Sequence, residues 1–342
     1  MEKFINHRFF LVGFTFLTFS SGNGFEVEKS GLFMPNVHPN LPEMLLCSPM
    51  RINFNKEYYI VGFEPKASMD KIHHMVLYGC TKPGSNKPLW SCDDDANSVI
   101  KDDDLDNTPP CESGAQFLYA WARNATTLQL PPEVGFKVGG NSSIQYLVLQ
   151  LHYSSNNHSS VDSSEHSGLV LHVTQQPMRK LAGQFAMGAG GEVHPHSTAR
   201  WESACEIKEN KTFHPFAFRV HTHRLGTVVR GYLVKTDDKG KHHWTLIGKK
   251  DPQKPHMFYP VNNNVSVSNG DTVAARCSYR SNRNNITVAG GNNDDEMCLF
   301  YMMYYVDEGA PLNMRYCFTK GPPSYYWDSE LNNIPADAST PE

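Results

Sequence analysis

Two histidines separated by a single residue form the clearest chemical pattern in the sequence. They occur at His221 and His223, at the end of a run rich in β-branched and aromatic residues, 216–223. Because alternate residues of a strand share a face, Arg219, His221 and His223 are predicted to lie together. Two imidazoles placed in this way can bind one metal ion without distorting the backbone. A polar face exposed to solvent is the alternative.

Three more histidines are weaker candidates for binding a metal. His73 and His74 are adjacent at the start of a strand-like run, and a regular strand would turn them to opposite faces. Both can bind one ion only if the backbone bulges or the pair lies at a strand end. His152 shares a strand face with Gln150, a position suited to lining a cleft. For His73 and His74 the alternative is a pair without a metal, at the surface or in the core. For His152 it is a half-buried histidine whose hydrogen bonds are satisfied within the protein.

A methionine begins another strand-like run, 297–305, in which Met297, Leu299 and Tyr301 are predicted to share a face. Methionine in such a run is most often part of a hydrophobic core. It becomes a ligand candidate only if a soft metal is already implied. A thioether combined with imidazoles favours copper, especially reduced copper, over zinc or calcium.

The elements that carry these residues are short strands separated by Gly, Pro, Asn and Asp, without a long segment of helical periodicity. This pattern predicts an all-β fold of antiparallel sandwiches. With 342 residues, 39% of them hydrophobic, the chain has enough material for two cores and is not disordered. Its net charge of −4 disfavours a general nucleic-acid binder, which would be basic. The predicted domains are 25–176 and 177–320, followed by a flexible tail, 321–342.

The N-terminus has the features of a secretory signal peptide, predicted to span residues 1–24. Lys3 and Arg8 precede an apolar run, 9–19, and small residues follow it. The run is too short to span a membrane, although a buried helix or an uncleaved anchor is the alternative. No later stretch reaches spanning length. The mature protein is therefore expected to be soluble, without a transmembrane anchor, in the secretory granule lumen or outside the cell.

The eight cysteines and six glycosylation motifs agree with a secreted protein. An even number of cysteines in such a chain indicates four disulfides, although the sequence leaves their pairing open. A zinc site is disfavoured because no C-x2-C pair occurs. The Asn-x-Ser/Thr acceptors are Asn124, Asn141, Asn157, Asn210, Asn264 and Asn285.

In their order along the chain, these motifs resemble the copper type II, ascorbate-dependent monooxygenases, and among them the peptidylglycine α-hydroxylating enzymes. The resemblance covers about residues 34–319. It implies two jelly-roll-like sandwiches that face each other across a solvent cleft, with one copper ion in each. It also implies ascorbate as the reductant and O2 as the co-substrate. The implied ligands of the first, electron-transfer copper are His73, His74 and His152, and those of the second, catalytic copper are His221, His223 and Met297.

The resemblance also assigns roles to other residues. Arg219 and Tyr301 match the positions that bind the carboxylate of a peptide's C-terminal glycine, whereas a surface salt bridge is the alternative for Arg219. Gln150 matches a residue near the first copper and remains a site candidate without an assigned role. Leu45 and Leu299 depart from the family pattern. The implied disulfides are Cys47–Cys92, Cys80–Cys111, Cys205–Cys317 and Cys277–Cys298.

The expected function is the hydroxylation of glycine-extended peptides, which is the first step of C-terminal amidation. We expect a monomer whose product passes to a separate lyase, since no lyase domain is recognised in the sequence. Two alternatives remain. One is a catecholamine hydroxylase of the same superfamily, and the other is a copper-binding protein on the same fold without turnover. The few residues between the predicted signal peptide and the core leave no room for the extra N-terminal domain expected of a catecholamine hydroxylase. A carboxylate anchor at Arg219 and Tyr301 argues against the copper-binding protein without turnover.

Overall fold

The computed structural model describes residues 19–20, 26–35, 44–53, 55–92, 105–153, 167–291 and 294–338. Most of the predicted signal peptide and the acceptor Asn157 lie outside these residues. Within them the chain consists of strands and one short 3-10 turn, so the predicted all-β class is confirmed. No helix in the described ranges is long and apolar enough to cross a membrane.

The strands up to residue 174 form two main layers, with the strand orders β1-β2-β13-β4-β11 and β7-β3-β12-β5-β9. The first layer continues beyond β11 into later strands and is part of an 11-stranded sheet. Strand β10 pairs with β4, and β6 pairs with β8. We call residues 26–174 the N-terminal half. The strands are β1 (Phe19–Ser20), β2 (Glu26–Phe33), β3 (Leu45–Arg51), β4 (Glu57–Lys66), β5 (Ile72–Cys80), β6 (Lys82–Pro83), β7 (Trp90–Ser91), β8 (Cys111–Ser113), β9 (Gln116–Ala122), β10 (Leu128–Gln129), β11 (Val134–Gly139), β12 (Tyr146–Tyr153) and β13 (Gly168–Thr174).

The remaining strands, in residues 180–338, make up the C-terminal half. Its two main sheets have the orders β14-β23-β17-β20, with β24 added beside β14, and β16-β21-β18-β19. Strand β15 pairs with β22. The elements are β14 (Lys180–Ala189), β15 (Glu192–Val193), β16 (Thr198–Glu206), β17 (His214–His221), β18 (Gly226–Thr236), β19 (His242–Lys250), β20 (Tyr259–Pro260), β21 (Thr272–Arg280), β22 (Thr287–Val288), β23 (Leu299–Val306), β24 (Tyr316–Thr319) and a 3-10 turn (Trp327–Ser329).

Each half is a sandwich, because its two sheets enclose one hydrophobic core. In the N-terminal half, Ile60 and Phe63 of β4 belong to the same hydrophobic cluster as Met75 and Leu77 of β5. The C-terminal core is built in the same way from both of its main sheets. The halves are also joined through their backbones, since β11 pairs in parallel with β14 over two residue pairs. The two-sandwich architecture predicted from the strand pattern is therefore present.

The sheet containing β14, β23 and β17 has a hydrophobic core on each side. Alternation along these strands sends one set of side chains into the C-terminal core. The opposite face meets the N-terminal half, where Ala217 and Met303 join the N-terminal core. Arg219, His221 and Tyr301 belong to this second face. The residues directed into the C-terminal core are Phe185, Met187, Phe218, Val220, Phe300 and Met302.

Four disulfides stabilise the two sandwiches, two in each half. Their partners are the ones that the family resemblance implies. The five glycosylation acceptors within the described residues are all exposed, and glycan attachment at them remains a prediction. The bridges are Cys47–Cys92, Cys80–Cys111, Cys205–Cys317 and Cys277–Cys298.

The segment after residue 320, expected to be a flexible tail, is packed as far as residue 338. Trp327 is fully buried, and its indole N–H donates to the carbonyl oxygen of Ser203 at 3.0 Å. The guanidinium of Arg276 lies 4.3 Å from the centre of the Trp327 ring. The same guanidinium forms a buried ion pair with Glu202 at 2.6 Å. The expectation of a loose tail is therefore wrong for 321–338, because burial of one large aromatic side chain outweighs the local Pro-rich composition.

Replacement of Trp327 by alanine should lower the free energy of unfolding by about 3–5 kcal/mol, because it leaves a cavity in place of a buried indole. Chemical denaturation of the full chain measures this loss. As a control, Ile286→Ala truncates a half-exposed side chain and should change the free energy by less than about 0.5 kcal/mol. If Trp327→Ala lowers the free energy of unfolding by no more than Ile286→Ala does, packing of this segment does not contribute to stability.

Candidate metal centres

The three N-terminal histidines meet at an irregularity in the pairing of β5 with β12. His152 pairs with His74, but Tyr153 pairs with Ile72, so His73 is an extra residue in β5. A bulge of this kind reorients a side chain that regular pleating would direct to the opposite face. A bulge at this position allows the adjacent residues His73 and His74 to bind one ion.

The geometry of this cluster is compatible with one metal ion. One ring nitrogen from each of the three histidines lies within 4.8 Å of the others, and Nδ1 of His74 is 3.3 Å from Nδ1 of His152. Burial, followed by the neighbouring rings of His152 and His73, holds the pKa of His74 well below its usual value. Neutral imidazoles are the form that binds metals. The donor set suits zinc, copper, iron or nickel.

Gln150 lies on the same face of β12 as His152, as predicted, but it is directed elsewhere. Its side chain is buried, and its amide donates to the carbonyl oxygen of Cys92 at 3.3 Å. Cys92 is bridged to Cys47, the residue opposite Gln150 on β3. Gln150 therefore links the histidine-bearing strand to a disulfide, and this contact does not direct its amide toward the ring nitrogens.

The second pair of histidines lies where β17 ends. His221 is the last residue of the strand and pairs with Leu299, whereas His223 lies beyond the strand. The rings are nevertheless close, with centroids 5.5 Å apart. The expectation that strand alternation alone aligns Arg219, His221 and His223 is therefore correct for the first two residues and wrong for His223.

His223 is held by a neighbouring segment that the sequence analysis did not identify. Its Nδ1–H donates to the carbonyl oxygen of Asp295 at 3.0 Å, which leaves Nε2 as the nitrogen that can bind a metal. Its backbone N–H donates to Glu296 at 2.9 Å, and that of Leu225 donates to the other carboxylate oxygen at 2.6 Å. Glu296 is fully buried, and this burial raises the pKa of its carboxyl group. Glu296 is the last acidic residue before the apolar run that begins at Met297, and this position was the available signal.

Met297 directly follows this buried glutamate. The predicted strand from Met297 onward is wrong, because β23 begins only at Leu299. Glu296 is turned inward to accept the two backbone N–H groups, which interrupts the regular pleat. The backbone around Met297 is fixed, since its carbonyl oxygen accepts a hydrogen bond from Tyr279 at 2.7 Å and Cys298 is in a disulfide. Met297 therefore follows two residues whose oxygens hold His223.

His221 provides the test of whether a metal fits at this second site. Its Nδ1 is buried and has no hydrogen-bond partner in the described part of the chain. Burial, with a further contribution from Arg219, holds its pKa well below the usual value, so the imidazole is neutral. A buried acceptor without a partner is costly, and a metal ion would supply the partner. Two imidazoles suit copper, and a thioether from Met297, the predicted third ligand, would add to that preference.

A further histidine, His256, was missed by the sequence analysis. Its ring centre lies 5.2 Å from that of His221, and the two rings are nearly perpendicular. Its Nε2–H donates to the carbonyl oxygen of Pro252 at 2.7 Å, and burial lowers its pKa to about 3. His256 comes from a Pro-rich loop, and only tertiary folding brings it beside β17. No spacing in the sequence could have identified it.

Arg219 and Tyr301 are direct partners across β17 and β23. Arg219 is buried, and its guanidinium carbon lies 5.3 Å from the centre of the Tyr301 ring. Its Nε–H donates to the carbonyl oxygen of His256 at 3.3 Å, and within the described residues it has no salt bridge to a carboxylate. Phe117 of the N-terminal half stacks on Tyr301 with ring centres 4.7 Å apart. The arrangement leaves a buried cation available to an anionic ligand.

The two histidine clusters influence each other electrostatically. Arg219 and His256 of the C-terminal half contribute to the low pKa of His74 in the N-terminal half. Both departures from the family pattern also lie beside predicted ligands, since Leu45 pairs with His152 and Leu299 pairs with His221. The predicted metal ligands and the carboxylate anchor thus occupy one region where the halves meet.

Comparison with curated proteins shows similarity to two kinds of enzyme, with higher identity to the first. The chain is 37% identical to peptidylglycine alpha-amidating monooxygenase of Rattus norvegicus over 311 residues, which is 90% of this chain and 29% of the rat protein. It is 36% identical to peptidyl-glycine alpha-amidating monooxygenase A of Xenopus laevis, over 90% of this chain and 31% of that protein. It is 29% identical to human dopamine beta-hydroxylase over 72% of this chain and 41% of that protein. The chain thus spans about a third of the length of its peptidylglycine relatives.

Comparison with family models covers both halves of the chain. Residues 31–160 match the N-terminal domain of the copper type II ascorbate-dependent monooxygenases. Residues 180–330 match the C-terminal domain of the same family, in the same order. With both domains present, and with histidine clusters suited to copper in each, the chain belongs to the copper type II ascorbate-dependent monooxygenase family.

Proposed function

We propose that this protein hydroxylates the α-carbon of the C-terminal glycine in glycine-extended peptides, with O2 as co-substrate and ascorbate as electron donor. The observation that carries the proposal is Arg219, a buried guanidinium without a carboxylate partner among the described residues. It lies two residues from His221 on one strand face. The similarity to peptidylglycine alpha-amidating monooxygenases supports the same substrate class.

In this proposal each half holds one copper ion. His73, His74 and His152 hold the first, and the second is held by His221, His223 and Met297. Copper at these centres supplies one-electron transfer and the activation of dioxygen. One oxygen atom of O2 enters the glycine C–H bond and the other leaves as water, with two electrons from ascorbate and two protons.

The protein's own contribution is to bind and orient the peptide. The planar guanidinium of Arg219 matches a carboxylate, and the hydroxyl of Tyr301 adds a donor. Residues two apart on a strand are about 7 Å from each other, so a carboxylate at Arg219 brings the adjacent α-carbon toward His221. Phe117 and Tyr301 cover this region with stacked rings, which limits the access of water.

The surroundings of Arg219 favour a peptide over a catecholamine. A protonated amine would be repelled by the buried guanidinium, whereas a carboxylate supplies the missing counter-charge. A copper-binding protein without turnover would have no use for such an anchor. The α-hydroxyglycine product needs a further lyase reaction to release the amide. The four disulfides favour an oxidising location such as the secretory granule lumen or the cell exterior.

Incubation with copper, ascorbate, O2 and a glycine-extended peptide should yield a product heavier by one oxygen atom, located on the terminal glycine by fragmentation mass spectrometry. The matched control is the same peptide with its glycine carboxylate converted to an amide, which lacks the anionic group and should remain unmodified. Hydroxylation of tyramine in place of the peptide would refute the proposed substrate class. Absence of turnover with either substrate would favour a copper-binding protein.

Substitution of Arg219 by lysine should raise KM for the peptide about ten- to hundredfold, because the charge remains but the paired hydrogen bonds to the carboxylate are lost. Copper content, measured by atomic absorption, should stay at the wild-type level. The control is Arg179→Lys, which makes the same change at an exposed arginine and should leave KM unchanged. A wild-type KM in the Arg219 variant would remove this residue from the peptide site.

Met297→Ile should abolish turnover and remove copper from the second centre, since it replaces the thioether by a hydrocarbon of similar size. The first centre should still bind copper, so the copper content should fall to about half of the wild-type value. As a control, Met314→Ile changes a half-buried methionine that packs against the C-terminal core. Full activity of the Met297 variant would show that the thioether is not a ligand.

A further inference from the structure

The loop between β19 and β20 belongs to the C-terminal half in sequence but packs against the N-terminal half. We call residues 251–258 the bridging loop. His256 forms an antiparallel bridge with Ala122, the last residue of β9. Phe258 is buried in the N-terminal core. The loop therefore connects the two halves close to the predicted metal ligand His221, whose ring lies beside that of His256.

Arg123 of the N-terminal half forms hydrogen bonds with Gln253 of this loop. Its Nη1 donates to the backbone carbonyl oxygen of Gln253 at 2.6 Å, and Nη2 donates to Oε1 of the same residue at 3.4 Å. Its backbone has a positive φ of 52°, which is uncommon for a residue with a β-carbon. The backbone N–H of Arg123 lies 3.0 Å from the sulfur of Met69. The local fold of the N-terminal half thus presents this guanidinium to the loop.

Gln253 continues the chain of hydrogen bonds into the second metal centre. While its Oε1 accepts from Arg123, its Nε2 donates to the carbonyl oxygen of His223 at 2.7 Å and to that of Gly226 at 3.1 Å. The backbone N–H of Gln253 donates to Asp251 at 2.8 Å, which holds the loop in its turn. One amide therefore connects a residue of the N-terminal half to the backbone that carries a predicted copper ligand.

The turn from His223 to Gly226 is held from two directions. Glu296 accepts its N–H groups from within the C-terminal half, and Gln253 donates to its carbonyl oxygens from the bridging loop. Only the second set depends on contact with the N-terminal half. We propose that Gln253 is a positioning residue that couples the docking of the N-terminal half, through Arg123, to the conformation of the turn carrying His223.

This inference rests on the proposed function for its meaning, because it concerns a ligand of the proposed catalytic copper. When the halves are docked, Arg123 holds the amide of Gln253 in the orientation that donates to His223. If the halves separate, Gln253 loses this partner, and the turn keeps the hydrogen bonds that do not involve Gln253, namely those of Glu296, Asp295 and Thr222. The second centre is then fully ordered only while the N-terminal half is in place beside it.

Hydrogen–deuterium exchange of the full, metal-free chain tests the coupling without requiring turnover. The amides of His223 and Leu225 report on the turn. Gln253→Glu keeps the acceptor for Arg123 but cannot donate to the carbonyl oxygens, so both amides should exchange about three- to tenfold faster, as expected for the loss of one or two hydrogen bonds. The control, Lys254→Ala, changes an exposed neighbour in the same loop and should leave both rates unchanged.

A second comparison separates positioning from simple adhesion between the halves. Arg123→Ala should accelerate exchange at the same two amides, although it lies in the other half. Combined with Gln253→Ala, it should add nothing beyond the Gln253→Ala effect, because the two residues act in series. Independent, additive effects, or wild-type exchange in Gln253→Glu, would overturn the coupling. A failure of peptide hydroxylation would refute only the proposed function and would leave this result unaffected.

Discussion

The arrangement of the site depends on the register of one sheet, in which β17 lies beside β23 and β23 beside β14. This sheet has a core on each face, so neither face is free to carry polar groups at random. Phe218 and Val220 of β17 enter the C-terminal core. Arg219 and His221 alternate with them along the strand and therefore face the N-terminal half. A shift of one residue would exchange the two sets and place a guanidinium among buried aromatic rings. The same register brings Tyr301 opposite Arg219.

Electrostatics then determines what this region can bind. The half-buried imidazoles of His74 and His221 are neutral, because desolvation, together with neighbouring histidines and Arg219, holds the pKa of each well below its usual value. They are therefore suited to bind a metal ion and do not provide a counter-charge. Glu296, the buried carboxylate next to Met297, is occupied by backbone N–H groups, which leaves Arg219 without an anionic partner among the described residues. Neutral nitrogen donors beside an uncompensated cation favour a metal ion together with an anionic organic ligand.

The sequence predicted those features that follow from strand periodicity. It placed Arg219 with His221 on one face. It also required either a bulge or a strand end for His73 and His74 to bind one ion, and the pairing with β12 contains a bulge. Features that depend on loops were not predictable, because long-range packing determines them. Examples are His256, which arrives on the bridging loop, and the break in the pleat before Met297. The predicted loose tail failed for a similar reason, since the partners that bury Trp327 are distant in sequence.

The central claim is that a copper ion and a peptide carboxylate occupy neighbouring positions on one face of this sheet. Anomalous X-ray scattering at the copper absorption edge, from crystals of the copper-loaded protein with a bound glycine-extended peptide, measures both positions at once. We expect one copper peak among His73, His74 and His152, and another among His221, His223 and Met297, with the peptide carboxylate contacting Arg219. A peptide bound away from Arg219, or the absence of copper at His221, would contradict the account.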